Sequence, residues 1–218
     1  MDVILVIDKF PILTKSDINQ GKIPQSALKI ADFLRAIFLL SNTLLNGNNF
    51  IIYCANHFTS PPYGLIIFFH GKSIRYLAPD ERGIVFLLLK IHKIITGEGG
   101  KKKDRRESLK FENMLKAQST PGIFLKRGSS QEIWDLYPEI GNQYIVIGKI
   151  KQKYTNLNTW SEFNNKLNFS TVLVFSHSDN FKISPHNKSS ICNFTEDSWK
   201  AKFYESELIS YIQAKITH

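Results

Sequence analysis

Two apolar patterns alternate along the chain. Val3-Ile-Leu-Val-Ile7 is a short unbroken apolar run, the signature of a strand buried on both faces of a parallel sheet. Residues 8–25 are polar, with Pro11, Pro24 and several turn formers, and predict a loop. Ser26 can cap a helix, and Ala27 to Leu45 follows with apolar residues on most sides until Asn46-Gly47 stops the run. Phe50 to Cys54 reads as the next strand. Gly64 to Leu77 has apolar and β-branched residues on both sides of His70-Gly71-Lys72, which predicts a hairpin or strand pair. Pro79-Asp80-Glu81 then sets a proline and two carboxylates where a first helical turn favours them, and Gly83 to Thr96 predicts a helix closed by Gly97.

Beyond Gly97 the pattern loosens. Ser108 can cap a short helix carrying Leu109, Phe111, Met114 and Leu115. Ile123 to Lys126 predicts a strand, Ser130 to Tyr137 a helical turn or two, and Gln143 to Ile150 another strand. A polar, Asn-rich connector over 151–170 leads to Thr171-Val-Leu-Val-Phe175, apolar on both faces, without proline, and therefore expected at the centre of the sheet. Ser206 to Ile216 predicts a terminal helix. Strands alternating with helices of these lengths give an α/β fold, a mostly parallel sheet flanked by helices. The expected organisation is one domain over 1–218, its halves 1–96 and 108–218 joined by a basic, glycine-rich stretch at 97–107.

Charge adds a partner class. The 218 residues carry 28 Lys and Arg against 19 Asp and Glu, a formal +9 that favours polyanions through counterion release, although a merely soluble basic surface would look the same. Residues 98–127 alone hold nine basic and four acidic side chains, more than half of that surplus. In that stretch Lys101, Lys102, Lys103, Arg105 and Arg106 are candidates for phosphate contact; a solvated mobile loop is the plainer alternative. Two cysteines, Cys54 and Cys192, without paired metal spacing, fit a reducing, cytoplasmic setting, and the six histidines show no metal spacing either, so no metal is expected. The Met1-Asp2 start lacks a basic flank for a leader, and the apolar run Gly83 to Leu89 is too short to cross a bilayer, so no membrane is expected.

The string Ile74-Arg75-Tyr76-Leu77-Ala-Pro79-Asp80-Glu81-Arg82 is not accounted for by composition. With Ala36-Ile-Phe-Leu-Leu-Ser41 before it and Pro121-Gly-Ile-Phe-Leu-Lys-Arg127-Gly128-Ser after it, it resembles the archaeal tRNA pseudouridine N1-methyltransferases (TrmY type) of the SPOUT superfamily. The resemblance runs in family order over roughly residues 1–185. It implies a SPOUT-type fold with a C-terminal trefoil knot, a homodimer, S-adenosylmethionine as cofactor, and methyl transfer to N1 of a pseudouridine in the TψC loop of tRNA.

In that family the cofactor lies folded among three loops. The first is matched by Tyr144-Ile-Val-Ile147-Gly148-Lys149. The second falls on Val174-Phe175-Ser176-His177-Ser178-Asp179-Asn180-Phe181, where Ser176 and Asn180 stand at the family's glycines. The third is Ile183-Ser184-Pro185, with Cys192 downstream. Ile147, Ser176, Asn180, Ser184, Pro185 and Cys192 are thus the cofactor candidates that the resemblance implies. Cys192 can equally be an ordinary semi-buried residue. Asp179 and His177 are the nearest acid/base candidates by position. Arg82 and Arg127 join the basic stretch as RNA candidates, with a capped helix and an ion pair as the structural alternative for Asp80, Glu81 and Arg82. Trp134, Tyr137, Trp160, Phe163 and Trp199 can stack on bases or fill a core. The dimer expectation also draws on apolar surface at Phe203, Tyr204, Leu208, Ile209, Tyr211 and Ile212. Three readings remain open: the methyltransferase itself, a catalytically silent paralogue that binds RNA or protein, or a methyltransferase with a different substrate.

Overall fold

A computed structural model describes residues 2–40, 43–45, 47–75, 77–98, 115–116, 121–134, 143–148, 155–157, 159–167, 171–178, 191–194 and 205–217. In chain order the elements are β1 (Asp2–Ile7), α1 (Lys15–Asn19), α2 (Gln25–Phe38), β2 (Leu39–Leu40), β3 (Thr43–Leu44), β4 (Asn49–Cys54), β5 (Leu65–His70), α3 (Glu81–Ile95), β6 (Leu115–Lys116), β7 (Ile123–Arg127), α4 (Gln131–Trp134), β8 (Gln143–Gly148), β9 (Thr155–Leu157), α5 (Trp160–Lys166), β10 (Thr171–Ser176), β11 (Ile191–Phe194) and α6 (Glu205–Thr217).

Nine strands make one sheet in the order β6-β7-β5-β4-β1-β10-β8-β11-β9, while β2 and β3 pair separately. In that order the six strands from β4 to β9 run parallel, and β5, β7 and β6 continue the sheet antiparallel beyond β4. Strands from both halves of the chain therefore share one sheet. β10 lies between β1 and β8 and is buried over all six residues, as its two-faced apolar pattern predicts.

Period-2 alternation divides the sheet into two faces. On one, Val3, Leu5, Phe50, Ile52, Ile67, Phe69, Leu173 and Phe175 pack against α2, α3, α5 and α6. Phe33 of α2 ties this layer together, edge-on to Phe175 at 5.0 Å and stacked on Phe50 at 5.9 Å. On the other face Ile4, Val6, Ile51, Ile66, Val146, Val172 and Val174 cluster with Ile133 of α4.

Several expectations change. β5 does not fold back on residues 72–77: its neighbours are β4 and β7. His70-Gly71-Lys72-Ser73 is a tight turn in which the Ser73 and Ile74 N–H groups donate to the His70 carbonyl at 3.1 and 2.8 Å. A pattern of two apolar arms fixes strand propensity, not partner, and two distant strands with deeper apolar faces take the pairing. The second helix stops at Phe38, seven residues short of the predicted end, because Leu39–Leu40 and Thr43–Leu44 form a small strand pair. Pro24, not Ser26, is its cap residue, and no side chain bonds there.

The third helix is capped by Asp80, whose carboxylate accepts from Gly83 N–H at 2.6 Å, and Gly97 ends it at φ +76°. α1 lies inside the expected loop, and β9 and α5 inside the expected connector. α6 does not present the apolar surface expected at Leu208, Ile209 and Ile212. Leu208, Ile209 and Ile212 are fully buried within the protomer's own core, because α6 packs along α2. Phe203 and Tyr204 lie outside the described residues, as do 179–190 and 195–204, on which the expected threading depends.

Candidate functional site

The parallel strands end together, and the direction in which the chain leaves each end decides where a ligand can sit. From β1 the chain leaves toward β4 on one side. From β10 it passes to β11 on the other, beyond β8. Strands that depart in opposite directions open a crevice between their carboxyl ends, the usual ligand position in an open α/β sheet. Here that crevice lies between β1 and β10.

Its floor is tightly built. The His177 N–H extends the sheet by donating to the Val6 carbonyl at 2.9 Å, and the Ala55 and Asn56 N–H groups do the same to Ile7 and Asp8 at 2.8 and 2.9 Å. Asp8 gathers the loops: its Oδ1 accepts from Ser178 Oγ at 2.7 Å and from Asn56 Nδ2 at 3.1 Å. Ser178 is 1% exposed, so this bond satisfies a hydroxyl that burial would otherwise leave costly.

On the helix side of the crevice the His177 ring meets α6. Its Nε2 lies 3.1 Å from Glu205 Oε1, and Lys29 Nζ of α2 lies 2.7 Å from Glu205 Oε2. Burial pushes the Glu205 carboxyl up. The hydrogen bond and charge of His177, then those of Lys29, outweigh it and hold the group below the usual glutamate value. Beside this contact a cleft of about 510 Å³ opens between α2 and α6, lined by Asp32, Arg35, Leu39, Pro79, Glu207 and Ser210 among others.

One crevice-side glycine is required by geometry. Gly148, the last residue of β8, sits at φ +111°, and a Cβ there would collide with the Ser176 carbonyl oxygen of β10. The two residues are register partners, so the first and second predicted cofactor segments end side by side. Ile147 is 1% exposed and Ser176 1%, the Ser176 hydroxyl turned inward to the Ser178 carbonyl at 3.3 Å. Cys192, at 5% exposure, pairs with Ile145 inside the sheet on β11. The strands bearing the first two predicted segments and Cys192 are thus adjacent, in the order β10-β8-β11, while the third segment, Ile183-Ser184-Pro185, lies outside the described residues.

Asn180, Ser184, Pro185 and Asp179 lie outside the described residues, and so do Lys101, Lys102, Lys103, Arg105 and Arg106. Arg82 donates to Asn19 Oδ1 at 3.2 Å and lies over the Phe86 ring, tying α3 to α1. Arg127 stacks on Phe58 at 4.4 Å and donates to the carbonyls of Ser60, Pro61 and Pro62, so its guanidinium organises the 58–62 loop. Phe163 is fully buried and serves the core. Among the described residues no group of three or more His, Cys, Asp or Glu side chains could hold a metal ion, and no helix is long and apolar enough to cross a membrane.

Sequence reasoning missed Asp8, Asn56, Lys29 and Glu205. The first two had a readable signal, a polar side chain within two residues of the end of a buried parallel strand. The last two had none, since their meeting depends on how α6 packs. No protein-family model and no curated protein sequence matches this chain.

Proposed function

We propose that this protein is a SPOUT-type, S-adenosylmethionine-dependent RNA methyltransferase acting on N1 of pseudouridine in the TψC loop of tRNA. One observation carries the reading: the first and second segments that resemble the family's cofactor loops run along the adjacent parallel strands β8 and β10, and Cys192 lies on β11, the other neighbour of β8. A cofactor folded among three loops needs that adjacency. The residues present also fit it. Gly148 lets the end of β8 close against the Ser176 carbonyl at φ +111°, and Ser176, which stands where the family has glycine, keeps its hydroxyl turned to the Ser178 carbonyl.

When bound, the cofactor supplies a methyl group activated on a sulfonium. The protein's share is to hold the base in line with it and to take the departing N–H proton. Lys101, Lys102, Lys103, Arg105 and Arg106 supply phosphate contacts in this reading, with Arg82 at the edge of α3. Arg127 supports the neighbouring loop. The trefoil knot and the homodimer belong to the reading through the resemblance alone.

A second reading, a silent paralogue that binds RNA or protein, draws on the sealing of Ile147, Ser176 and Cys192 inside the sheet. Calorimetry with S-adenosylmethionine separates the two. Micromolar binding is expected of the enzyme, followed by methyl transfer to a pseudouridine-containing TψC hairpin. An absence of heat at millimolar cofactor, with the hairpin still bound, leaves the silent module.

A further inference from the structure

Three elements distant in sequence converge on one imidazole. β10 ends at Ser176, and the N–H of the next residue is anchored on Val6, so the position of His177 is set by the sheet. Glu205 opens α6, and that helix is held by Leu208, Ile209 and Ile212 in the core. Lys29 comes from α2. An exposed pair of flexible side chains would carry little meaning. Here the glutamate side chain is only 13% exposed and the imidazole 33%, and both backbones are fixed by packing.

The chemistry of the contact is directional. A carboxylate only accepts, so the nitrogen opposite Glu205 must donate. A neutral His177 is therefore held with its proton on Nε2, and its lone pair is on Nδ1. Among the described residues nothing hydrogen-bonds to that Nδ1. Lys29 occupies the second carboxylate oxygen at 2.7 Å, which keeps Glu205 ionised and turned toward the ring. A carboxylate that orients an imidazole through one ring nitrogen leaves the other nitrogen's lone pair to accept a proton.

We infer that His177 is the proton acceptor of this site, that Glu205 is its positioning residue, and that the group it deprotonates is the ring N1–H of a pseudouridine base, which lies between a carbonyl and the ring double bond. The identity of that group rests on the methyltransferase reading. The tautomer does not. In the reaction the N–H proton of the base passes to Nδ1 as the ring nitrogen takes the methyl carbon. The electron pair of the broken S–C bond stays on sulfur, which leaves as a thioether. The imidazolium so formed faces the Glu205 carboxylate.

The test begins with the unaltered protein. Nitrogen-15 NMR of the neutral His177 ring is expected to show the Nε2–H form, and an Nδ1–H form overturns the inference. Glu205→Gln should scramble the tautomer, since an amide can present either its oxygen or its NH₂ group, while Lys29→Met should leave it unchanged. An unaltered tautomer in E205Q overturns the positioning role. For the reaction, the probe is S-adenosylmethionine with the pseudouridine hairpin. His177→Gln should lower kcat about 10²-fold with KM for the hairpin unchanged. Full activity in H177Q sinks the acceptor while leaving the methyltransferase reading intact. A fixed Nε2–H form in a protein that binds the cofactor but transfers no methyl sinks the reaction while leaving the dyad.

Discussion

At the scale of single residues, the crevice depends on positions whose tolerance is set by backbone and not by polarity. Gly148 is the sharpest case. Alanine there must adopt φ +111° and drive its methyl into the Ser176 carbonyl, so Gly148→Ala is expected to cost about 1–3 kcal/mol from backbone strain before any displacement of β10. Urea unfolding checks this, and a midpoint equal to wild type would show that the two strand ends can part freely. Gly148 was visible in the sequence as part of a motif, but its partner was not, because register across parallel strands leaves no local mark. Asp80 was the opposite case. A carboxylate before a long apolar run names its own role, and it caps α3 at 2.6 Å as a lone short-range signal should. Glu205, which holds the imidazole, had no such signal, since its role comes from a helix docking more than a hundred residues from Lys29.

Among elements, α6 is the one whose meaning changed most between pattern and structure. Its apolar residues invited a partner surface, yet they complete the protomer's own core against α2. A final helix cannot be told from an interface helix by periodicity, because both need one apolar face. Ile209→Ala should therefore destabilise the monomer by about 2–5 kcal/mol, as a core truncation does, without changing its association state. Urea unfolding with light scattering on the same samples checks both halves. Dissociation of a dimer with unchanged monomer stability would return α6 to the interface. The central strands β1, β4 and β10 were legible because burial on both faces writes an unbroken apolar run. α5 was missed although Thr159 and Glu162 form a capping box, with Thr159 Oγ1 accepting at 3.2 Å, because a seven-residue helix in an Asn-rich stretch offers little periodicity.

For the molecule as a whole, acid should weaken the fold in two stages. Burial holds His57 below the ordinary histidine value, aided by the neighbouring charges of His92 and Lys9. Burial does the same for His70, aided by Lys72 and opposed by Asp2. Below pH 6.5 the unfolded chain takes up protons that these rings resist, so stability falls from there toward their folded values. Glu132 and Glu205 are pushed up by burial but held lower still by their partners, Lys126 and Ser129 for the first, His177 and Lys29 for the second. Their contribution is complete above pH 4.5 and is lost as pH drops through their folded values. Thermal melts from pH 8 to 3 should show a first decline below 6.5 and a second below 4.5, the second flattened in a Glu132→Gln, Glu205→Gln double variant. A flat curve down to pH 4.5 would remove the histidine contribution. The placement of β1 carries one more consequence, and it concerns synthesis. The contact that closes the crevice, Ser178 to Asp8, spans 170 residues. A nascent chain that has reached only Gly148 has already made β1 and β4, yet the flank of β1 that β10 will cover is still bare. β1 therefore waits for β10, and this part of the sheet can close only after the chain between them has emerged.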